Sequence, residues 1–507
     1  MTFKTIISAT TIGLSAICAL EANAINVESK EAGSLATLVA NPDRETVLTV
    51  SGPINAADFQ FINDRMPALT LIDLSNAKIE AYDGKVLATG AGVSDASVVP
   101  AYAFFGSNAS TILLPADVTA IGRGAFGNSA ITFLSIPATV ERIESSAFVA
   151  CKRMTGITIP ASVTSIGDYA FKDCTALKQV TIAGAIPAIE ASTFAGCSAL
   201  EKIVIPESVT SIGDNAFSQC KSLQTINFPA VLERIGEKAF YESGLTDANL
   251  SASKSLSAIG SYAFALNPAL TTVALPDCAI EFGSGVFFDD ATLSSIKLPA
   301  ALTAIPSLMF KGNAALDNSD LLPAGITNIG DYALMGMTSA QEIKFPAALQ
   351  SIGDGAMEDW TSLSTIYADE LAQAPALGND VWAGVDQSNV IMFVTDDAKS
   401  QFESADQWKE FIIKVSSTGI DEVTADEAAG LADVDFRFVG NHLVISSTGS
   451  PIVAVDIYDL SGRHRLGHRG EASPEVDIAL NRLPQSAVVV VNAILANGAV
   501  APLKIAL

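Results

Sequence analysis

The hydrophobic residues of this chain return at nearly constant intervals over most of its length. Two segments, IPASVTSIGDYAFKDCTALKQV from Ile159 and IPESVTSIGDNAFSQCKSLQTI from Ile205, match at most positions. A phenylalanine recurs 22 to 24 residues apart, at Phe104, Phe126, Phe148, Phe171, Phe194, Phe217, Phe240, Phe264, Phe287 and Phe310. Leu334, Met357 and Trp382 then take the same position. A fixed period of this length predicts stacked structural repeats.

Each unit contains the elements of one coil. Before Ile205 apolar residues alternate with polar ones, as in a short strand with one buried face, and Pro206 ends that strand because it has no N–H. Ile212 turns inward again, Gly213 is expected to permit a sharp turn, and Phe217 fills the interior. One unit cannot bury its own apolar face, so about twelve units are expected to stack into a solenoid roughly 55–60 Å long.

The repeated pattern LxxIxIPxxVTxIGxxAFxxCxx resembles the BspA-like leucine-rich repeats of secreted bacterial proteins. This resemblance implies an α+β solenoid of short strands and turns, capped at both ends, over residues 100–415. Leu48–Ile79 looks like the amino-terminal cap, within residues 25–99, and Val394–Val415, with Phe402 and Trp408, is similar to the terminal unit. Three departures from the consensus are expected to cause bends, at Ala183, Ser251 and Asp317–Leu322.

The amino terminus, residues 1–24, has the pattern of a secretory signal peptide. Lys4 precedes an apolar stretch, and Ala22-Asn23-Ala24 forms a cleavage site of small residues. The apolar stretch is shorter than the roughly 20 residues that a membrane span needs. A lipoprotein using Cys18 is disfavoured because Ile17 is large. We therefore expect cleavage near Ala24 and a protein that is secreted or held at the outer cell surface.

After an acidic, Ala-rich linker at residues 416–433, the period is replaced by short β patterns. Phe436 to Phe438, Leu443 to Ile445, Val453–Leu460, Val488 to Val491 and Leu503 to Ile505 predict an antiparallel β-sandwich over residues 434–507. The stretch SGRHRLGHRG, at residues 461–470, is predicted to be an exposed basic turn.

This terminal region also resembles a known kind of export signal. Val455–Arg463 and the closing segment Val488–Leu507 resemble type IX secretion sorting domains, although Gln485-Ser486-Ala487 replaces the usual Gly-x-Tyr. That resemblance implies export machinery as a partner. A β-sandwich without a sorting role is the alternative.

Four cysteines each follow the repeat phenylalanine by three residues, at Cys151, Cys174, Cys197 and Cys220. Stacking would place them in one column. Disulfides between neighbouring coils are one interpretation, since an exported protein meets an oxidising compartment. Buried free thiols are favoured, because stacked coils lie slightly too far apart for the Cβ separation of a disulfide.

The composition argues against enzymatic and nucleic-acid-binding functions. The 507 residues include 29 basic and 55 acidic side chains, a net charge of −26, which disfavours binding to phosphates. All three histidines follow position 440, so the repeats offer no histidine as a catalytic base or zinc ligand. Adjacent acids such as Asp289-Asp290 and Asp396-Asp397 are interpreted as solvated loop charges. We expect no catalytic residues, metal or cofactor.

The candidate binding residues lie on the outside of the predicted coils. One set stands between two buried strand residues and should face solvent: Ser135, Thr158, Thr181, Val204, Asn227, Asn249, Ala274 and Lys297. A second set lies two residues before the repeat position: Tyr102, Tyr169, Tyr262 and Tyr332. Exposed serines and threonines also suit any strand, and scattered tyrosines need no special role.

We therefore expect an exported surface protein, adhesin-like, that binds host or microbial surface proteins or glycans over an extended area. A passive surface spacer is the alternative.

Overall fold

The structure of the chain is a computed structural model with two compact units, Met1–Ser416 and Ser417–Leu507. It describes residues 23–84, 93–317, 321–416, 434–439, 442–459, 464–480, 488–497 and 500–506. The predicted signal peptide lies outside the described residues apart from its last two, and the predicted linker lies outside them apart from Ser416.

The first unit is a stack of coils, and most coils contribute one short strand to each of two rows of parallel strands, here called ladders. The first ladder contains the strand that precedes the repeat proline. Its members are β1 Ala24–Glu28, β2 Val47–Ile54, β3 Leu71–Ile79, β5 Thr111–Leu113, β8 Gly156–Ile159, β10 Gln179–Ile182, β12 Lys202–Ile203, β15 Asp247–Asn249, β17 Thr272–Ala274, β19 Ser295–Lys297, β22 Glu342–Lys344, β24 Thr365–Ala368, β26 Ile391–Val394 and β27 Ile412–Val415.

The second ladder contains the two-residue strand that follows the proline. Its members are β4 Val98–Val99, β6 Ala120–Ile121, β7 Arg142–Ile143, β9 Ser165–Ile166, β11 Ala188–Ile189, β13 Ser211–Ile212, β14 Arg234–Ile235, β16 Ala258–Ile259, β18 Glu281–Phe282, β20 Ala304–Ile305, β21 Asn328–Ile329, β23 Ser351–Ile352 and β25 Ala376–Leu377. Pairing is parallel and in register, so that Ile212 aligns with Ile189 on one side and Ile235 on the other. The predicted solenoid is confirmed.

The repeat phenylalanines form one continuous stack inside the coils. From Phe104 to Phe310 neighbouring rings lie 5.0 to 5.8 Å apart, with interplanar angles of 4° to 24°. Each ring is fully buried, as are Leu334 and Met357 where they replace phenylalanine. This column is the main apolar core that joins one coil to the next.

The corners of each coil use left-handed backbone on both sides of the buried phenylalanine. In the unit of Phe217, Asn215 and Gln219 have φ of +56° and +61°. The φ of Gly213 is not positive, so a left-handed backbone is not the reason for glycine at this turn. A Cβ at Gly213 would instead lie 2.8 Å from the backbone nitrogen of Ala191, so glycine is needed where two coils approach closely.

The second ladder is interrupted twice, and a proline explains each interruption. The ladder breaks between β9 and β11 and again between β18 and β20. Pro187 stands at the position that Thr210 occupies in the next coil, where the N–H of Thr210 donates to the preceding coil. Pro306 stands at the position that Gly283 occupies in the preceding coil, where the N–H of Gly283 donates in the same way. Proline has no N–H to donate, so the pairing stops at these coils. The first break falls in the unit of Ala183, which the sequence marks as irregular.

Among the described residues of the first unit, helices occur at its two ends. At the amino-terminal end α1, Leu35–Leu38, precedes α2, Ala56–Arg65, which lies between β2 and β3. Asp58 is buried there and accepts hydrogen bonds from the N–H groups of Gly33 and Leu35. At the other end a 3-10 helix, Gln387–Asn389, and α3, Asp396–Ser404, accompany the last strands.

The second unit is an antiparallel β-sandwich, as predicted. One sheet has the order β28-β29-β32 and the other β31-β30-β33-β34. The strands are β28 Val434–Val439, β29 His442–Ser447, β30 Ile452–Asp459, β31 His464–Ser473, β32 Glu475–Ala479, β33 Val488–Leu495 and β34 Val500–Ala506. Leu443 and Ile445 of one sheet share a core with Ile457 and Val491 of the other.

The basic turn predicted for SGRHRLGHRG was wrong from His464 onward. That part of the stretch is strand β31, which pairs with β30. The polar residues and glycines of this segment show no hydrophobic alternation, so the sequence pattern did not predict a strand. Its pairing is set by the backbone of β30.

Candidate binding surface

The strand row consists of the outward-facing residue that directly follows the buried residue of each first-ladder strand, as Thr158 follows Ile157 and Lys297 follows Ile296. Thr158 pairs in register with Thr181, and Asn249 pairs with Ala274, which pairs with Lys297. All five side chains are exposed, while strand neighbours such as Ile157 are buried. The alternation arises because successive strand residues point to opposite faces. The predicted position of these residues on one outer face is therefore correct.

Two predicted members of the row differ from the others. Ser135 is exposed but lies outside a named strand. Asn227 is half-buried, and its side chain replaces missing strand pairing: Oδ1 accepts from Ile205 N–H at 2.8 Å and Nδ2 donates to Ile205 O at 2.8 Å. With both amide atoms engaged by the neighbouring coil, Asn227 stabilises the solenoid and is poorly suited to contact a partner.

The row continues toward the carboxyl-terminal end of the unit in residues that the sequence analysis did not single out. Lys344, Tyr367, Phe393 and Lys414 pair successively in register. The rings of Tyr367 and Phe393 stack with centroids 5.7 Å apart and planes at 15°. The signal was available, because each of the first three also stands between two buried strand residues.

Carboxylates lie near Tyr367 and its row neighbour Lys344. Lys344 forms an ion pair with Glu370 at 2.8 Å, and Asp369 accepts a hydrogen bond from Ser416 Oγ at 2.9 Å. Burial raises the pKa of the Tyr367 phenol, and the charges of Glu342 and Asp369 raise it further. The phenol therefore stays protonated and can donate a hydrogen bond at neutral pH.

The predicted tyrosines lie at a different corner of the coil and do not join the strand row. Tyr102, Tyr169, Tyr262 and Tyr332 all have φ between +54° and +60°. Three of them pack against a glycine of the next coil, and a Cβ at Gly124, Gly285 or Gly355 would lie 2.4 to 2.6 Å from the ring. These rings fill space between coils, which gives them a structural role.

Tyr169 has no such glycine, since Ser192 stands at that position in the next coil. Its side chain is 43% exposed, and Lys172 Nζ lies 5.6 Å from the ring centroid. Similar lysine–ring contacts join Lys238 to Tyr262 and Lys311 to Tyr332.

The cysteine column lies inside the solenoid. Cys151, Cys174, Cys197 and Cys220 are free, fully buried thiols. Each donates a hydrogen bond of 3.0 to 3.2 Å to the carbonyl of a phenylalanine in the preceding coil. Burial raises the pKa of Cys197 to about 12, so this thiol is not a nucleophile at neutral pH.

The same interior column contains an acid that was expected in solvent. Asp290 is fully buried, which corrects the interpretation of Asp289-Asp290 as solvated charges; only Asp289 is exposed. Asp290 occupies the cysteine position of its coil, three residues after Phe287, and that position points inward. It accepts a hydrogen bond from Asn267 N–H at 2.7 Å and donates its own N–H to Asn313 Oδ1 at 3.0 Å.

Metal-binding side chains do not converge in the part of the chain that the structure describes: no three His, Cys, Asp or Glu residues there form a group that could hold an ion. His442 Nδ1 lies 2.8 Å from Asp477 Oδ1 on the exposed face of the terminal sandwich. None of the helices within the described residues has the length and apolar character needed to cross a membrane.

Sequence and structure comparisons agree on the repeats. The family model for the BspA type leucine rich repeat region matches residues 97–221, 187–317, 257–376 and 315–423. A solved leucine-rich repeat protein from Bacteroides ovatus is 21% identical, with a TM-score of 0.56, over 74% of this chain and 84% of that one.

Two further solved structures are also similar. A leucine rich cell surface protein from Faecalibacterium prausnitzii is 27% identical over 49% of this chain and 82% of its own, with a TM-score of 0.32. The pneumococcal vaccine antigen PcpA is 20% identical over 73% and 80%, with a TM-score of 0.36. No curated protein matches this chain.

Proposed function

The chain belongs to the BspA-type leucine-rich repeat family, and on that premise we propose that it is a bacterial cell-surface protein whose strand row binds a protein or glycan partner. It acts by contact over an extended area and not by catalysis. The predicted signal peptide, cleaved near Ala24, and the sorting-like terminal sandwich would bring it to the surface.

The observation that carries this proposal is the stacked, half-buried pair Tyr367–Phe393 within the strand row. Elsewhere the row includes short side chains such as Thr158 and Thr181 and the long side chain of Lys297. Aromatic side chains supply most of the contact energy at the centres of protein interfaces, and polar surroundings exclude water from them. We therefore place the energetic centre of the surface at this pair, with the Thr-rich part of the row as its extension.

The net charge of −26 restricts the partner. Long-range repulsion slows the approach of polyanions and favours neutral or basic partners. The acids beside Tyr367 act in the same direction at short range.

The test uses the full mature chain immobilised on a sensor and exposed to extracellular-matrix proteins and to a panel of glycans. We expect saturable binding of at least one partner that survives moderate salt. The double variant Tyr367→Thr/Phe393→Thr should weaken that binding at least about tenfold, because threonine keeps the strand while removing both rings.

The matched control is Tyr169→Asn, which removes an exposed ring from the other corner of the coil. Asparagine tolerates the left-handed backbone there, so both folding and binding should be unchanged. Equal loss of binding in both variants would refute the assignment of the strand row. Absence of saturable binding to every member of the panel would support a passive spacer instead.

A further inference from the structure

A groove of about 560 Å³ lies where the second ladder ends. Its walls come from two segments, residues 374–379 around β25 and residues 405–408 after α3. It belongs neither to the strand row nor to the tyrosine corner, and of its residues only Trp408 was named from the sequence, as part of the terminal unit.

The two ladders end at different coils. The first ladder continues through β26 and β27 after the coil that contains β24 and β25. Within the described residues the second ladder has no strand after β25. One edge of β25 therefore faces the groove, where the next coil would otherwise pair.

The hydrogen bonds of β25 show which backbone groups face that edge. Ala376 and Gly378 donate their N–H groups to Gln350 O and Ile352 O of the preceding coil, at 2.9 and 2.8 Å. Because backbone groups alternate in direction along a strand, the N–H and C=O of Leu377 point the other way, toward the groove. Neither group has a partner among the residues that the structure describes.

Side chains of the terminal segment cover the groups on either side of Leu377. Trp408 Nε1 donates to Pro375 O at 3.0 Å, and Gln407 Nε2 donates to Gly378 O at 2.7 Å. Gln407 Oε1 accepts from Val381 N–H at 3.0 Å. The edge is thus closed at both ends and open at Leu377.

We propose that this groove binds an extended peptide segment of another protein, which pairs with Leu377 as an additional β-strand. The groove offers one backbone donor and one backbone acceptor in strand geometry, the pairing that an extended peptide completes. A sugar is disfavoured, because Trp408 is only 1% exposed and presents no ring face for stacking.

The probe is a fluorescein-labelled peptide with the sequence SVTSIGDNA, which copies residues 208–216. In the solenoid the glycine of this segment, Gly213, donates its N–H to Ile189 O of the preceding coil at 2.8 Å. In the groove the same N–H should donate to Leu377 O. Fluorescence anisotropy with the full chain should show saturable binding, and replacing the glycine by N-methylglycine should weaken it up to about tenfold through loss of that hydrogen bond.

Two protein variants locate the site. Ala376→Trp places a large side chain on the groove wall and should weaken probe binding at least about tenfold, since the occupant is excluded sterically. Ala372→Trp adds the same side chain at an exposed position of the same coil, outside the groove, and should have no effect. Thermal unfolding of both variants verifies that they fold.

Failure of the wild-type chain to bind the probe saturably would overturn the proposal, as would equal binding of the N-methylated probe or of Ala376→Trp. Sedimentation of the unlabelled chain, with and without the probe, measures whether the chain self-associates through this edge. Self-association that the probe displaces would show that a second copy of this chain, and not another protein, occupies the edge.

Discussion

The indole Nε1–H of Trp408 donates a hydrogen bond to the carbonyl oxygen of Pro375 over 3.0 Å, across 33 positions of the chain. In a continuing solenoid the backbone of the next coil would satisfy this carbonyl. A side chain therefore takes the place of a strand at the end of the second ladder. The ring also packs edge-on against Phe402 and Trp382, so one residue both covers the Pro375 carbonyl and packs against the end of the apolar column.

Trp408→Phe removes this hydrogen bond and part of the ring. We expect the free energy of unfolding to fall by about 2–4 kcal/mol, because a buried carbonyl loses its donor and a cavity is left. Urea unfolding measures the loss, and hydrogen exchange should show it concentrated in residues 365–416. Trp382→Phe is the matched control, because the Trp382 Nε1 is buried without a partner among the described residues and no hydrogen bond is lost. An equal loss in both variants would contradict the role of the Trp408 hydrogen bond.

Phe217→Ala should destabilise the first unit by about 3–5 kcal/mol, since it removes one ring from the buried stack and leaves a cavity. Phe217→Leu should cost less, because Leu334 fills the same position in a later coil. Phe133 is 60% exposed, so Phe133→Ala should change stability by no more than about 0.5 kcal/mol. Urea unfolding followed by circular dichroism compares the three, and similar losses for Phe217→Ala and Phe133→Ala would disagree with the stack.

Asp290→Asn should stabilise the protein increasingly as the pH rises. Burial raises the pKa of the Asp290 carboxyl well above its usual value, and the neighbouring charge of Asp289 adds to the shift. The folded state therefore holds this proton more tightly than the unfolded chain does. The resulting stabilisation is complete below the unfolded pKa of about 3.9 and is lost as the pH rises through the folded pKa.

Asparagine stays neutral and can keep the hydrogen bond from Asn267. The gain over wild type, measured by urea unfolding, should be larger at pH 8 than at pH 4, by about 1 kcal/mol or more. Asp289→Asn, at the exposed neighbouring position, should show a much smaller pH-dependent difference. A pH-independent effect of Asp290→Asn would mean that the carboxyl is not buried.

The four column thiols should resist alkylation in the folded protein. Cys151, Cys174, Cys197 and Cys220 are fully buried, whereas Cys278 is half-buried and should react first. After denaturation without reductant all five should react, because none is consumed in a disulfide. Mass spectrometry with and without reduction before labelling decides this point. Thiols that become available only after reduction would restore the disulfide alternative.

Gly285→Ala should cost about 2 kcal/mol or more, from a left-handed backbone at φ +61° and from contact of the new Cβ with the Tyr262 ring. In a Tyr262→Asn background the same change should cost only the backbone contribution of about 1 kcal/mol. The double-mutant cycle, measured by thermal or urea unfolding, gives the coupling between the two coils. Additive effects would show that the ring does not occupy the space beside the glycine.

The period of the sequence predicted the fold, and particular residues show why. The residue types of Phe171, Ile166 and Pro160 recur in most units with nearly the same spacing. The pattern within one unit, repeated by stacking, therefore defines the ladders, the corners and the core. The inward position of the cysteine column followed from the same register. The outward position of Thr158 and Thr181 did so as well.

The candidate site was less predictable, because exposure depends on what the neighbouring coil supplies. Asn227 stands at an outward position, yet the backbone of Ile205 takes up its amide. The ring of Tyr262 occupies space that is available because Gly285 has no side chain. The stacked Tyr367–Phe393 pair obeys the pattern but lies in later units, where Met357 and Trp382 replace the repeat phenylalanine.

The sequence alone therefore determined the repeat length, the buried phenylalanine column and the outward strand row, because each follows from spacing within one unit. Only the tertiary structure decided that Asp290 is buried and hydrogen-bonded to Asn267 and Asn313, that Pro187 and Pro306 interrupt the second ladder, and that Leu377 faces an unpaired edge. The first two features depend on contacts between residues that lie about one coil or more apart. The third arises because the two ladders end at different coils. The spacing within a single repeat encodes neither the contacts nor the ends of the ladders.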